Sequence, residues 1–222
     1  MLMTKSISFQ ILRFDPKKDK QPYWVRYDIP FQEKNTVLGA LIYVQEEVDP
    51  TLGFRYGCRY KRCGLCSIQV NGKARMACNT FLQSDMRIEP LGKLPLIKDL
   101  VIDRRIFFEQ VRRHLLYLGE HNELEAVIKE PRQGSELRSC RECLACLAAC
   151  PEYSFENENF GGPYVFVKLA QLFFDPRERI DRRKQAQTLG ISRCKDCRKK
   201  CYCPNGISIY RDAIKSLYPE LK

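Results

Sequence analysis

No run in the sequence approaches the roughly eighteen uncharged apolar residues that a membrane-spanning helix needs. The first residues, MLMTKSISFQILRF, lack the continuous apolar stretch and the small-residue cleavage site of a secretory signal. The expectation is a chain neither secreted by that route nor embedded in a bilayer. There is no Gly-rich phosphate loop and no Ser/His/Asp grouping, so phosphate cradling and triad hydrolysis have no residues to carry them. Histidine is scarce: His114 falls on a helical pattern and reads as a surface or packing residue, and His121 has no partner nearby in sequence. The basic run RERIDRRK, Arg177 to Lys184, lacks interleaved aromatics and reads as a solvated or docking face, not a grip on nucleic acid.

What the chain does have is cysteine, 12 in 222 residues. In a reducing compartment such density points to metal ligation before disulfides. The net charge of +11 would by itself suggest nucleic acid or an acidic surface. Three iron–sulfur clusters, each at about −2 with its four thiolates, would lower it to about +5, and much of the basicity would then be counter-charge to buried anions.

The cysteines fall into three sets. Cys58, Cys63, Cys66 and Cys78 are spaced C-x4-C-x2-C and then a distant C, the plant-type [2Fe–2S] pattern, in which a loop wraps the cluster and a following strand supplies the last thiolate. Gly57 and Gly64 suit the close approach and unusual dihedrals of such a loop. CRECLACLAACP, with Cys140, Cys143, Cys146 and Cys150, is the bacterial ferredoxin run, whose fourth cysteine ligates the other cluster. Its partner is CKDCRKKCYCP. By the crossing rule Cys203 completes a [4Fe–4S] cluster on Cys140, Cys143 and Cys146, while Cys150 joins Cys194 and Cys201, with Cys197 a further candidate. Only one residue separates Cys201 from Cys203, so the second run is irregular, and a zinc knuckle over Cys194 to Cys203 is the competing reading.

Around these sets the pattern is α+β. SISFQILRF and YWVRYDI alternate about a turn at KKDKQP and predict a hairpin. NTVLGALIYVQEEVDP predicts a helix capped at Asn35 or Thr36, with Leu38, Leu41, Ile42 and Val48 on its apolar face. Asn71-Gly72 marks a second hairpin that delivers Cys78, and MRIEPL adds a strand. Residues 1–98 thus read as a β-grasp ferredoxin domain. LGKLPLIKDLVI reads as a connector. Residues 99–222 read as an all-α, bacterial-ferredoxin-like domain, with one helix from Asp103 to near Gly119 through Phe107, Val111, Leu115 and Leu118, and another from Pro163 to Asp175 with Val165, Leu169, Leu172 and Phe173 on one face.

This order of motifs resembles the iron–sulfur subunit of succinate dehydrogenase and fumarate reductase over nearly the whole chain, in FRYGCRYKRCGLCSIQVNG, PLIKDLVID, SCRECLACLAACP, GGPYVFVKLAQLFFDPRE and CPNGI. The resemblance implies a separate flavoprotein subunit whose FAD interconverts succinate and fumarate, with this chain carrying electrons one at a time to a membrane anchor and quinone, peripherally on the cytoplasmic or matrix face. It implies no succinate site on this chain and no nucleic acid partner. The [2Fe–2S] cluster would lie nearest the flavin, the Cys140 set next, and the set of Cys150, Cys194 and Cys201 nearest the quinone. In the family the last is usually [3Fe–4S], because one ligand position holds no cysteine. Here Cys197 stands at that position, so either it holds a fourth iron in a second [4Fe–4S] cluster or it is a free thiol. The tryptophan and histidine that familiar members bring to quinone are replaced by Phe155 and Lys195, and the single tryptophan, Trp24, lies in the first domain. The alternatives are an iron–sulfur subunit of another flavoenzyme or of a heterodisulfide-reductase-like complex, and, in a different class, a zinc-dependent nucleic-acid-binding module.

Overall fold

Alternation of Ile7, Phe9 and Ile11 against Tyr27 and Ile29 makes a two-stranded antiparallel ribbon of β1 (Ser6–Arg13) and β2 (Tyr23–Pro30), with these five side chains buried. The computed structural model describes residues 6–31, 34–119, 130–195, 197 and 201–220. They form two compact units, Met1–Asp103 with Cys143–Ala145, and Arg104–Glu142 with Cys146–Lys222.

In the first unit β3 (Ser67–Val70), β4 (Lys73–Met76) and β5 (Met86–Glu89) complete a mixed sheet ordered β2-β1-β5-β3-β4, with β1 and β5 as its parallel pair. Asn71 and Gly72 both adopt left-handed dihedrals, φ 50° and 70°, which is what a two-residue hairpin turn matched to strand twist requires. α1 (Val37–Tyr43) starts at Thr36, whose Oγ1 accepts from the Gly39 amide at 3.1 Å. From Val44 to Val48 the helix widens to a π-helical turn, closed by the Asp49 amide donating to the Val44 carbonyl. The widened turn breaks the 3.6-residue phase, so Val48, expected on the apolar face, is 51% exposed, while Val37, Ala40 and Val44 are buried with Leu38 and Leu41. The stretch expected as a connector forms a small hairpin of β6 (Leu96–Lys98) and β7 (Val101–Ile102). Beside it Arg13, only 7% exposed, ties β1 to the chain entering the cysteine loop. Its guanidinium bonds Asp99 (2.9 Å), Thr51 (3.0 Å) and Asp49, and Asp99 also accepts from the amides of Phe14 (2.9 Å) and Gly53 (2.7 Å).

The second unit is helical: α2 (Arg105–Arg113), α3 (Arg132–Arg138), α4 (Ala145–Ala149, begun in the first unit's stretch), α5 (Gly162–Phe173), α6 (Arg182–Thr188) and α7 (Lys215–Leu217), the last led by a π-helical turn at Tyr210–Ile214. α5 is its centre, packing against α3, α6 and the Tyr210 turn. Its first turns are buried all round, from Gly162 to Val167, not on one face alone.

α2 ends at Arg113, short of the expected Gly119, and Leu115 turns left-handed at φ 47° with its side chain exposed. The cause is Arg182, which was expected in a solvated run but is 1% exposed. Its guanidinium donates to the carbonyls of Leu115 (2.9 Å) and Tyr117 (3.1 Å), Gln185 donates to that of His114 (2.6 Å), and Glu178 pairs with Arg182 at 2.6 Å. These side chains satisfy carbonyls that continued helix would have used. Because Arg182→Ala leaves the Glu178 carboxylate, 4% exposed, without its partner, the expected loss is about 3 kcal/mol. A melting midpoint lowered by roughly 10 °C, read by circular dichroism, is the corresponding measurement. His121 lies outside the described residues.

Candidate iron–sulfur sites

The loop from Gly57 to Cys66 is built so that backbone amides surround sulfur. Arg59 and Lys61 take left-handed dihedrals, φ 62° and 57°, which turns successive N–H groups toward one side of the chain. The amides of Tyr60 (3.3 Å), Arg62 (3.2 Å) and Cys63 (3.2 Å) all donate to Cys58 Sγ, that of Lys61 to Cys78 Sγ (3.2 Å), and that of Cys58 to Cys63 Sγ (3.5 Å). These donors, the Tyr60 amide foremost, pull the Cys58 thiol down to about 7, toward the thiolate. Cys66 is buried and pushed up to about 12, by burial first and then by the neighbouring Cys78 and Cys63. The four cysteines of the first set are therefore neighbours. Cys78 comes not from a strand but from the single 3₁₀ turn after β4, Ala77–Asn79.

Gly57 and Gly64 serve the same loop in different ways. Gly64 is left-handed at φ 73°. A Cβ on Gly57 would lie 3.4 Å from Cys63 Sγ and 3.3 Å from Leu65 Cδ1, so a methyl group there would crowd the sulfur and press on Leu65. Gly57→Ala is expected to cost part of the [2Fe–2S] occupancy and none of the other iron. Visible absorbance and iron per chain, compared with the unsubstituted protein, measure this.

In the second unit cysteines of the two runs meet beside Pro163, at the start of α5. Cys150, Cys194, Cys197 and Cys201 line one small cavity with Pro151, Phe160, Pro163 and Tyr210. Burial pushes the thiols of Cys194 and Cys201 up to about 12, each raised further by its neighbours, which include Cys150 and Cys197 for both. Cys203 lies instead beside Cys140: burial raises the Cys140 thiol, and charge on Cys203 and Glu142 raises it further while the Glu142 amide and Lys168 oppose. Cys143 is buried and Cys146 half-buried.

Among the described residues no three His, Cys, Asp or Glu side chains converge closely enough to hold one metal ion. Four thiolates on a zinc, with bonds of about 2.3 Å, would sit about 3.8 Å apart. A cluster holds its thiolates further apart, because irons and sulfides stand between them. The donor sets fit clusters: four thiols in a backbone cradle, and four thiols in a mostly apolar cavity that Glu152 also lines.

Residues that the sequence did not single out complete the surroundings of Cys140. Glu142, left-handed at φ 52°, pairs with Lys168 of α5, and its carbonyl accepts from Arg104. Lys168 is the one charged residue in a mostly apolar helix, GPYVFVKLAQLF, which is the signal that could have found it. Phe155 and Lys195 are both exposed, as is Trp24 on β2, where Arg87 stacks over its ring.

A model of the 2Fe-2S iron-sulfur cluster binding domain matches residues 8–109. The fumarate reductase iron-sulfur subunit of Mycobacterium tuberculosis is 30% identical over 194 residues, 82% of this chain and 78% of that protein. The chain belongs to the family of succinate dehydrogenase and fumarate reductase iron–sulfur subunits. Within that family, one of the subunits of the fumarate reductase (CoM/CoB) of Methanothermobacter marburgensis is 35% identical over 95% of this chain but only 43% of its own length. The chain spans about two fifths of the length of the first curated relatives it matches. The chain of the Mycobacterium smegmatis Sdh1 complex in the apo form superposes with a TM-score of 0.82 at 24% identity, over 98% of this chain and 96% of that one. That likeness gives the family member its fold.

Proposed function

We propose that this family member is the electron-carrying subunit of a succinate dehydrogenase or fumarate reductase, linking a flavoprotein whose FAD handles succinate and fumarate to an acceptor at a membrane anchor. The first unit is read as a β-grasp domain holding [2Fe–2S] on Cys58, Cys63, Cys66 and Cys78. The chain beyond the first sheet is read as a bacterial-ferredoxin-like domain holding [4Fe–4S] on Cys140, Cys143, Cys146 and Cys203, and a further cluster on Cys150, Cys194 and Cys201. Bound clusters supply one-electron uptake and release without bonds being made or broken. The chain's own residues hold them, with amides and Lys168 offsetting thiolate charge.

The observation that carries the reading is the crossing. Cys150 of the first run lies with Cys194 and Cys201 of the second, and Cys203 of the second lies with Cys140 of the first. Since Cys197 lines the same cavity as Cys150, Cys194 and Cys201, the third cluster is read as a second [4Fe–4S], in place of the [3Fe–4S] usual in the family. No helix among the described residues is long and apolar enough to cross a membrane, and attachment through an anchor subunit, at the cytoplasmic or matrix face, fits that.

The test is electron paramagnetic resonance on the purified complex, air-oxidised and dithionite-reduced, with iron quantified. One [2Fe–2S] and two interacting [4Fe–4S] signals with about ten irons per chain are expected. Zinc in place of iron would overturn the reading. A second reading concerns only the redox partner at the far end of the cluster chain. The exposed Phe155 and Lys195 stand where quinone-contacting residues are expected, and a relative is named for CoM and CoB, so those thiol coenzymes in place of quinone are the alternative partner. Reduction of the oxidised complex by a quinol, or by the two thiols with formation of their mixed disulfide, separates the two.

A further inference from the structure

Tyr164, in the first turn of α5, is 1% exposed, and its hydroxyl is buried with no hydrogen-bond partner. A buried hydroxyl without a partner loses its water and gains nothing, so a native protein is expected to provide one. The direction of this hydroxyl follows from α5. Residues 164, 168 and 171 share one helical face. Lys168 pairs with Glu142, and Gln171 Nε2 donates to the Leu137 carbonyl at 2.7 Å. The face therefore runs along the chain that leads into and through the first cysteine run. At its N-terminal end the Tyr164 hydroxyl is raised in pKa by burial first, and then by charge on Glu142, Cys140 and Cys146, with Arg104 opposing. The ring is held by Phe107, centroids 5.3 Å apart.

We propose that the Tyr164 hydroxyl donates a hydrogen bond to a sulfur of the cluster bound by Cys140, Cys146 and Cys203, and so tunes its reduction potential. Tyr164 is a positioning and tuning residue, touching sulfur and not substrate. A donor aimed at sulfur favours the reduced, more negative state of the cluster and raises its potential. Lys168, one turn on, adds positive charge beside Glu142 and works in the same direction. The inference rests on the assignment of a [4Fe–4S] cluster to the Cys140 set.

The experiment uses the cluster-loaded complex and Tyr164→Phe, which keeps the ring and removes only the oxygen. In a potentiometric titration followed by electron paramagnetic resonance, the Cys140-set cluster of the variant is expected to titrate at lower potential, with the other two unmoved. Electron–nuclear double resonance on the reduced unsubstituted protein is expected to show a coupled proton that exchanges in D2O and is missing in Tyr164→Phe. An unshifted potential with unchanged exchangeable couplings overturns the proposal. Should the variant fail to hold its cluster, the unsubstituted protein decides alone: no exchangeable proton other than backbone amides coupled to that cluster also overturns it. Absence of any cubane signal in the unsubstituted complex would instead overturn the cluster assignment on which it rests.

Discussion

Cys203→Ser is expected to abolish or transform the resonance of the cluster on Cys140, Cys143 and Cys146 while leaving that of its own sequence neighbours, Cys194 and Cys201, in place. Chain order predicts the reverse, because Cys203 lies two residues from Cys201 and far from Cys146. The surroundings of the thiols favour the crossing. Cys203 is the cysteine of the second run whose charge raises the Cys140 thiol, whereas Cys194 and Cys201 answer to Cys150 and Cys197. Three thiolates do not complete a cubane, and a serine oxygen is a poorer match than sulfur for the fourth iron. Loss of up to about four irons per chain is the expected extent, and Cys203→Ala, which offers no oxygen, is expected to reach it. The readout is the reduced spectrum with iron per chain. Loss of the Cys194-set signal with the Cys140 set intact would refute the crossing.

Much of this architecture was legible because it is written in local rules. Two-residue alternation marks β1 and β2, Asn71-Gly72 dictates a turn that needs two positive φ values, and Thr36 offers the oxygen a helix start lacks. That Cys58, Cys63, Cys66 and Cys78 lie together was legible because spacing in a wrapped loop is local as well. What escaped depends on partners distant in sequence. The end of α2 could not be read from its own residues, since Arg182 and Gln185, about seventy positions later, take its carbonyls. Val48 fell off the apolar face because one π-helical turn, invisible in a periodic pattern, shifts every residue after it. Arg182 itself looks solvated in RERIDRRK, and only the burial of Glu178 beside it makes the interior its place. The surroundings of Cys140 escaped for the same reason: Lys168 and Tyr164 reach it from α5, a helix whose sequence contains no cysteine.

Cys197→Ser is the second substitution with a large expected effect, and it acts on one iron. Four thiols share the lining of a single cavity, and burial pushes Cys194 and Cys201 up to about 12. Such thiols stay protonated at neutral pH unless a cation displaces the protons, and metal binding does so. A site evolved for three irons needs three thiolates. Cys197, half-buried in the same lining, offers a fourth sulfur for which a three-iron site has no use. The arrangement fits the proposed cubane with Cys197 on the fourth iron. Air-oxidised unsubstituted complex is expected to be silent at this site, since an oxidised [4Fe–4S] cluster is diamagnetic. Cys197→Ser is expected to release about one iron and bring up the resonance of an oxidised [3Fe–4S] centre. The same resonance already present before substitution, and unchanged after it, would leave Cys197 a free thiol. The difference reaches the acceptor: the couple of a [4Fe–4S] terminus is expected at lower potential than that of a [3Fe–4S] centre, because cluster type itself sets the range. Such a terminus suits a lower-potential acceptor than the usual [3Fe–4S] end of the chain serves. The exposed Phe155 and Lys195, standing where aromatic and imidazole contacts to quinone are expected, fit that change of partner.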